Sequence, residues 1–274
     1  ATAAAGAPGA TREDTISIRL AVLGSGSGGN CSFFATEKVK VLVDAGFSGV
    51  ETARRLAGIG ERLESINAVL VTHEHSDHVG GLGRLAKKYG IPVYISEKTR
   101  AALSPQVVLP KVETLAPGQP FQLGDLTIEP FTIPHDAVDP VAFRFTSAGM
   151  RVALATDLGY LPENVKHYLR GCHAMIVESN HDLEMLRTGP YPWHLKQRVM
   201  GRTGHLSNAA LCEFLCSEEY DGEAQTVILA HLSEQNNHPQ IARMEASGAL
   251  ERRSREGTRL VISSQHEISE LFEF

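Results

Sequence analysis

The sequence predicts an α/β protein, and three features of the 274-residue chain predict it. Short, largely β-branched apolar runs at residues 39–43, 68–71, 174–177 and 226–230 read as buried strands. Stretches with helical spacing, at 51–56, 79–89, 161–168 and 209–217, fall between such runs, so strands and helices alternate. The runs at 39–43 and 226–230 lead straight into Asp44 and His231, and a further run at 151–156 into Asp157, which puts chemically active side chains where the strands leave the core.

The densest polar stretch is Thr72-His73-Glu74-His75-Ser76-Asp77-His78, between the strand at 68–71 and the helix at 79–89. Three imidazoles and two carboxylates within six residues are costly to bury unless something positive binds them. The stretch therefore reads as a metal site, against the alternative of a solvated polar loop. His73 and His75 stand at i and i+2, which suits extended or loop backbone; the helical His-Glu-x-x-His motif needs i and i+4. Asp77 and His78 are adjacent and must point apart, so they are better placed to serve a second metal than to complete the first. Glu74 and Ser76 read as spacers.

Composition sets bounds. With 42% hydrophobic residues, the chain can bury a substantial core as one large domain or two small ones. No apolar run reaches the roughly 18 residues of a membrane span. Residues 1–15 lack both a basic start and a hydrophobic centre, so they read as a disordered tail or an expression remnant, not a signal peptide. Cys31, Cys172, Cys212 and Cys216 contain no Cys-x-x-Cys pair, and Cys212 with Cys216 fit one buried helical face. Reduced structural thiols in a cytoplasmic protein follow from that reading. A net charge of −6 argues against a protein that coats nucleic acid, but not against an enzyme that grips one strand end.

The pattern His-x-His-x-Asp-His after a hydrophobic strand resembles the metallo-β-lactamase superfamily. The stretches Gly24-Ser25-Gly26-Ser27-Gly28-Gly29-Asn30, Glu178-Ser179-Asn180-His181-Asp182, Gly204-His205-Leu206-Ser207-Asn208 and Ala230-His231-Leu232-Ser233-Glu234-Gln235-Asn236-Asn237 are similar to its YycJ/WalJ-like subgroup. The resemblance runs from about residue 16 to the C-terminus. It implies a four-layer αββα sandwich (the metallo-β-lactamase fold) with metals at one edge of the paired sheets, and 5′ exonuclease activity on DNA. Internal twofold similarity is not visible in the sequence. Residues 16–274 leave no room for the large insertion of the β-CASP nucleases, so a single domain is expected.

In chain order, residues 16–23 alternate and then turn solidly apolar, as a strand entering a core would. The glycine-rich loop after it lacks a Gly-Lys-Ser/Thr ending and leads into another strand, 31–36, which excludes a phosphate loop. It is either a flexible hairpin or a loop whose Ser25 or Asn30 lines the active site. The third strand ends on Asp44, which the resemblance makes a support that orients metal ligands without touching metal. After the metal motif come a strand at 91–95, a weakly patterned stretch at 99–117, and a hairpin at 121–131 that ends in Thr132-Ile133-Pro134-His135-Asp136. His135 resembles the third histidine of the first metal, with His73 and His75. A strand pair at 141–145 and 151–157 ends on Asp157, which the family pattern makes the carboxylate shared by both metals.

Residues 183–203 contain Arg187, Tyr191, Trp193, Lys196, Arg198 and Arg202. Cations with an aromatic platform suit a phosphate backbone and a stacked base. A solvated helix face with Trp193 on the core is the alternative. Ser207 or Asn208 caps the helix at 209–217, which places His205 ahead of a helix N-terminus where it either protonates a leaving oxygen or stands by a plain cap. By the resemblance, His231 completes the second metal with Asp77, His78 and Asp157. A helix at 239–251 and a strand at 260–262 close the chain.

The reading is a dinuclear metal-dependent hydrolase holding two divalent ions (Zn, Mn or Fe). Asp77 orients or deprotonates water, and His205 donates to the leaving group. Ser25, Asn30, Asn180, His181, Lys196, Arg198 and Arg202 contact a nucleic acid end. One rival is a small-molecule hydrolase acting on a lactam, lactone or thioester, whose mark would be an apolar pocket with few cations near the metals. The other is a metal-binding regulatory module without catalysis. No membrane partner is expected, and oligomeric state is not legible.

Overall fold

A computed structural model describes residues 18–274. The expected tail at 1–15, and the first two residues of the expected opening strand, lie outside the described residues. The described chain opens with strands β1 (Arg19–Gly24), β2 (Cys31–Ala35) and β3 (Lys40–Val43), and helix α1 (Gly49–Gly58) carries it to β4 (Ala68–Leu70). Helices α2 (Ser76–Val79) and α3 (Leu82–Tyr89), strand β5 (Val93–Ile95), helix α4 (Glu97–Ala102) and strand β6 (Val112–Thr114) complete the first half. The second half runs through β7 (Phe121–Leu123), β8 (Leu126–Thr132), β9 (Val141–Ser147), β10 (Met150–Ala155), α5 (Glu163–Leu169) and β11 (Ala174–Glu178). Helices α6 (Leu183–Thr188), α7 (Trp193–Met200) and α8 (Asn208–Cys216) follow, then β12 (Thr226–Ala230), α9 (Pro239–Glu251), β13 (Arg259–Ile262) and β14 (Phe272–Glu273).

These strands form two seven-stranded sheets, ordered β14-β1-β2-β3-β4-β5-β6 and β13-β12-β11-β10-β9-β8-β7. From β1 to β6 the pairings run antiparallel twice and then parallel three times. From β8 to β13 they do the same. The topology thus carries a twofold repeat that the sequence does not display.

Between the sheets lies a core that includes Leu20, Phe34, Val41, Phe143, Phe145 and Ile176, with the rings of Phe34 and Phe145 stacked 4.1 Å apart. Leu56 of α1 and Leu82 and Leu85 of α3 cover the outer face of the first sheet. Leu169 of α5, Leu211 and Leu215 of α8 and Ala246 of α9 cover the second. The result is the expected αββα sandwich. Central strands are buried on both faces, which is why they read as continuous apolar runs.

One expected helix, at 79–89, is two. The break falls at Gly80-Gly81, where Gly81 donates its N–H to the Ala45 carbonyl at 2.8 Å. A Cβ on Gly81 would lie 1.8 Å from the Phe47 carbonyl oxygen, so this crossing of the β3–α1 connection against the histidine loop requires glycine.

The four cysteines are free. Burial pushes the Cys31 thiol well up and those of Cys172 and Cys212 up to about 12, while Cys216 is only half-buried. The thiolate is the reactive form, and a raised pKa keeps its fraction negligible until pH approaches the shifted value. At pH 8 a disulfide reagent should therefore label one thiol per native chain rapidly, Cys216, and four after denaturation. Fast labelling of two or more in the native chain would contradict the packing described here.

Candidate metal centre

Three strand ends build the centre. Asp44 after β3, Asp157 beyond β10 and His231 after β12 all have positive φ, at 62°, 62° and 55°. Left-handed backbone is uncommon outside glycine and costs of order 1 kcal/mol per residue, so three instances at one end of the sandwich mark a site held in shape by its surroundings. The chain turns sharply there, and the two sheets present their polar side chains to the same seam.

The metal-motif loop follows β4, with His75 in extended conformation just ahead of α2. His73 Nε2 lies 3.1 Å from His75 Nδ1, and His135 Nε2 lies 3.3 Å from that same atom. Nearby, His78 Nε2 stands 3.3 Å from Asp77 and 3.4 Å from Asp157, while His231 Nε2 stands 3.4 Å from Asp157 and 3.8 Å from Asp77. Donor atoms therefore converge as four overlapping sets: His73, His75 and His135; His73, His78 and Asp157; Asp77, His78 and His231; and Asp157, Glu178, His205 and His231.

The second ring nitrogens of His73, His78 and His135 are spoken for. His78 Nδ1 donates to Asp44 Oδ2 at 2.7 Å, and the Thr72 hydroxyl, which donates to the same oxygen at 2.8 Å, accepts from His73 Nδ1 at 2.9 Å. One carboxylate thus fixes two imidazoles with their Nε2 atoms turned to the seam. His135 Nδ1 donates to the Gly204 carbonyl at 3.2 Å. Such outer hydrogen bonds set tautomer and ring orientation in metal sites.

Electrostatics favour a cation. Burial works against protonating His78, yet Asp157 and Asp44 hold it well above its ordinary value; burial likewise opposes His231, yet Asp157, Asp77 and Glu178 push it up to about 10. Burial alone would raise the carboxyl of Asp157, but His231 and His78 keep it well below the usual range. Asp157 Oδ2 and His231 Nε2 are buried without a hydrogen bond among the described residues. Buried polar atoms left unpaired in such a cluster are what a bound ion satisfies. The mixed imidazole and carboxylate donors suit divalent metal ions.

With this geometry in place, comparison with known proteins is decisive. Residues 39–232 match the model of the β-lactamase superfamily domain. The chain is 39% identical over 241 residues to exodeoxyribonuclease YycJ of Bacillus anthracis, covering 85% of this chain and 89% of that protein. The chain belongs to the metallo-β-lactamase superfamily. Within it the chain is YycJ/WalJ-like: exodeoxyribonuclease WalJ of Streptococcus pneumoniae serotype 2 (strain D39) is 39% identical over 234 residues, 84% of this chain and 87% of its own. Among solved structures, the metallo-β-lactamase fold protein YhfI of Bacillus subtilis superposes with a TM-score of 0.70 at 20% identity, covering 94% of this chain and 100% of its own.

Two acids and a serine that sequence reasoning did not single out belong to this superfamily site. Glu178, fully buried at the end of β11, accepts from His205 Nδ1 at 2.8 Å and His231 Nδ1 at 3.1 Å on one oxygen, and from the backbone of Leu158 and Leu206 on the other. Its oxygens are used, so it orients imidazoles. A buried apolar run ending on an acid, the signal that pointed to Asp44, was present at Glu178 too. Glu74, read as a spacer, accepts the Val138 N–H at 2.8 Å and ties the histidine loop to the His135 loop. Ser27 lines the open cleft beside His205 and His231.

The residues expected to contact substrate have divergent fates. Ser25 is buried, and its hydroxyl accepts the His231 N–H at 2.9 Å. Asn30 folds the glycine loop through Gly26, and its amide donor lies 3.1 Å from Asp77 Oδ2. Asn180 lines the cleft and donates to the His231 carbonyl at 2.7 Å, whereas His181 is buried at the end of the second sheet, where burial takes its pKa down to about 4. Lys196 is buried and donates to the Arg187 carbonyl at 2.7 Å, joining α6 to α7 in place of reaching a strand. Arg202 is exposed with its guanidinium over Tyr160, and Trp193 is 64% exposed. Only Arg198 of these cations lines the cleft, paired to Asp136 at 2.5 Å.

Because Asp44 steers His78 directly and His73 through Thr72, Asp44→Asn should weaken metal binding about 10–100-fold. Competition against a chromophoric chelator measures this, with circular dichroism confirming the fold. Unchanged affinity would show that the imidazoles are held without it.

Proposed function

We propose that this protein is a metal-dependent exodeoxyribonuclease that hydrolyses phosphodiester bonds from the 5′ end of DNA. Hydrolysis is supported by the convergence of His73, His75, His135, Asp77, His78, Asp157 and His231 on one seam. DNA as substrate is supported by 39% identity, across most of both chains, to proteins named exodeoxyribonucleases. We assign His73, His75 and His135 to one cation, Asp77, His78 and His231 to a second, and Asp157 to both. Zinc, manganese or iron fits these donors. When bound, two such ions lower the pKa of water and neutralise charge on phosphoryl oxygens.

The chain's own groups do the rest. Asp77, at the first turn of α2 and only partly covered, accepts a proton from the attacking water and aims it. His205 is held at Nδ1 by Glu178, and its Nε2 makes no hydrogen bond among the described residues, which leaves that atom to deliver a proton to the leaving oxygen. Thr72, Asp44 and Glu178 hold proton positions on the imidazoles so that nothing reorganises during the reaction. Residues 16–274 act as one catalytic domain, and the four free thiols fit a cytoplasmic enzyme. No helix among the described residues is long and apolar enough to cross a membrane.

A second reading, a small-molecule hydrolase, draws on the cleft: Tyr191, Leu195, Val199 and Leu232 make much of it apolar, and Arg198 is the one Lys or Arg among its described residues. One assay separates the two. Metal-reconstituted protein is given end-labelled DNA, end-labelled RNA and a panel of lactams, lactones and thioesters. Shortening of DNA from its 5′ end is expected, with Asp77→Ala and His205→Ala each slower by about 100-fold or more and His75→Ala inactive. Turnover of a small ester or lactam with intact DNA would establish the second reading, and full nuclease activity in Asp77→Ala would remove the role given to that residue.

A further inference from the structure

The cleft beside the metal centre, about 140 Å3, has a wall that phosphodiester chemistry does not explain. His205 and His231 belong to its inner end, and Ser27 supplies a polar contact. The segment around α7 lines it too: Tyr191, just ahead of the helix, with Leu195 and Arg198 on it. Apart from the Tyr191 hydroxyl, an aromatic ring and an aliphatic side chain offer no polar group to a phosphate. They suit the flat face of a nucleobase, whose stacking on an aromatic side chain needs no sequence-specific hydrogen bond. Arg198 is a partly neutralised cation: its Nε donates to Asp136, itself 3.4 Å from His135 Nε2, and its terminal nitrogens are left for a single phosphate. Recognition on this wall is therefore weighted toward the base.

We propose that the cleft receives the terminal nucleotide of a DNA strand, with its base against Tyr191 and Leu195 and its backbone toward Arg198 and Ser27. This rests on the nuclease reading and gives it a substrate form. A base inside a duplex has both faces covered by neighbours, whereas the base at a strand end leaves one face open to this wall. Trp193, the chain's one tryptophan, is not part of it: at 100° per residue it lies about 200° around α7 from Leu195.

The test compares two single-stranded oligonucleotides that differ only in carrying a base or an abasic tetrahydrofuran unit at the terminal position, as substrates for metal-loaded protein. Wild type should favour the base-bearing strand in kcat/KM by about tenfold. Tyr191→Phe should keep that ratio, and Tyr191→Ala should bring it to within about twofold of unity. A merely structural tyrosine would slow both strands alike and leave the ratio standing, which would overturn the proposal. Equal cleavage of both strands by wild type would overturn it as well and leave the nuclease reading intact. No attack on either strand while a duplex end is still shortened would overturn this proposal and leave the nuclease reading standing; turnover of a small chromogenic phosphodiester with single- and double-stranded DNA both intact would mark failure of the nuclease reading itself, and this proposal would fall with it.

Discussion

Four carboxylates, Asp44, Asp77, Asp157 and Glu178, share one end of the sandwich with six histidines, and three of the four acids are almost fully buried. An isolated carboxylate in such a place is costly, and the imidazoles of His78 and His231, pushed up by the acids they face, offset that cost. His78 and His231 are held protonated by the acids they face. Divalent ions would replace those protons, and the same field that retains protons would retain metal. The centre is thus a place where positive charge is required and only its carrier can change.

The scaffold exists to keep this arrangement from relaxing. Both sheets follow the same order of pairings, and each sends strand ends to a common edge. Asp44 and Asp157 occupy comparable places after β3 and β10, each in left-handed backbone and each followed two residues later by glycine. They have diverged in use. Asp44 is consumed in holding His78 and Thr72, while Asp157 keeps an oxygen free toward the seam. Among the helices, α2 brings Asp77 and His78 to the site and α7 with the segment ahead of it borders the cleft, while the other helices serve mainly to cover the sheets.

Much of this was legible in the sequence, for physical reasons that also mark its limits. Central strands stood out because burial on both faces demands unbroken apolar runs, and the helix at 239–251 was bounded correctly because a proline opens it. The histidine motif was legible because its spacing is local. Edge strands β6 and β14 were missed, being two or three residues long and partly exposed. The split between α2 and α3 depends on how closely the β3–α1 connection passes, which no local pattern records. Side-chain fates were least legible: Lys196 and Arg202 read as substrate-facing cations, yet one closes a helix junction and the other stacks on Tyr160, since partners distant in sequence decide where a flexible side chain ends. Glu178 escaped notice because its role appears only when β11, His205 and His231 meet.

Similarity to YycJ and WalJ proteins and the geometry of the seam converge on one account: residues from 73 to 231 gather divalent ions, and the carboxylates behind them fix the gathering. Anomalous diffraction from crystals grown with manganese tests it most directly. The account predicts two peaks per chain, one among His73, His75, His135 and Asp157 and one among Asp77, His78, Asp157 and His231. Peaks elsewhere, or none at this seam in a protein that still cleaves DNA, would contradict it.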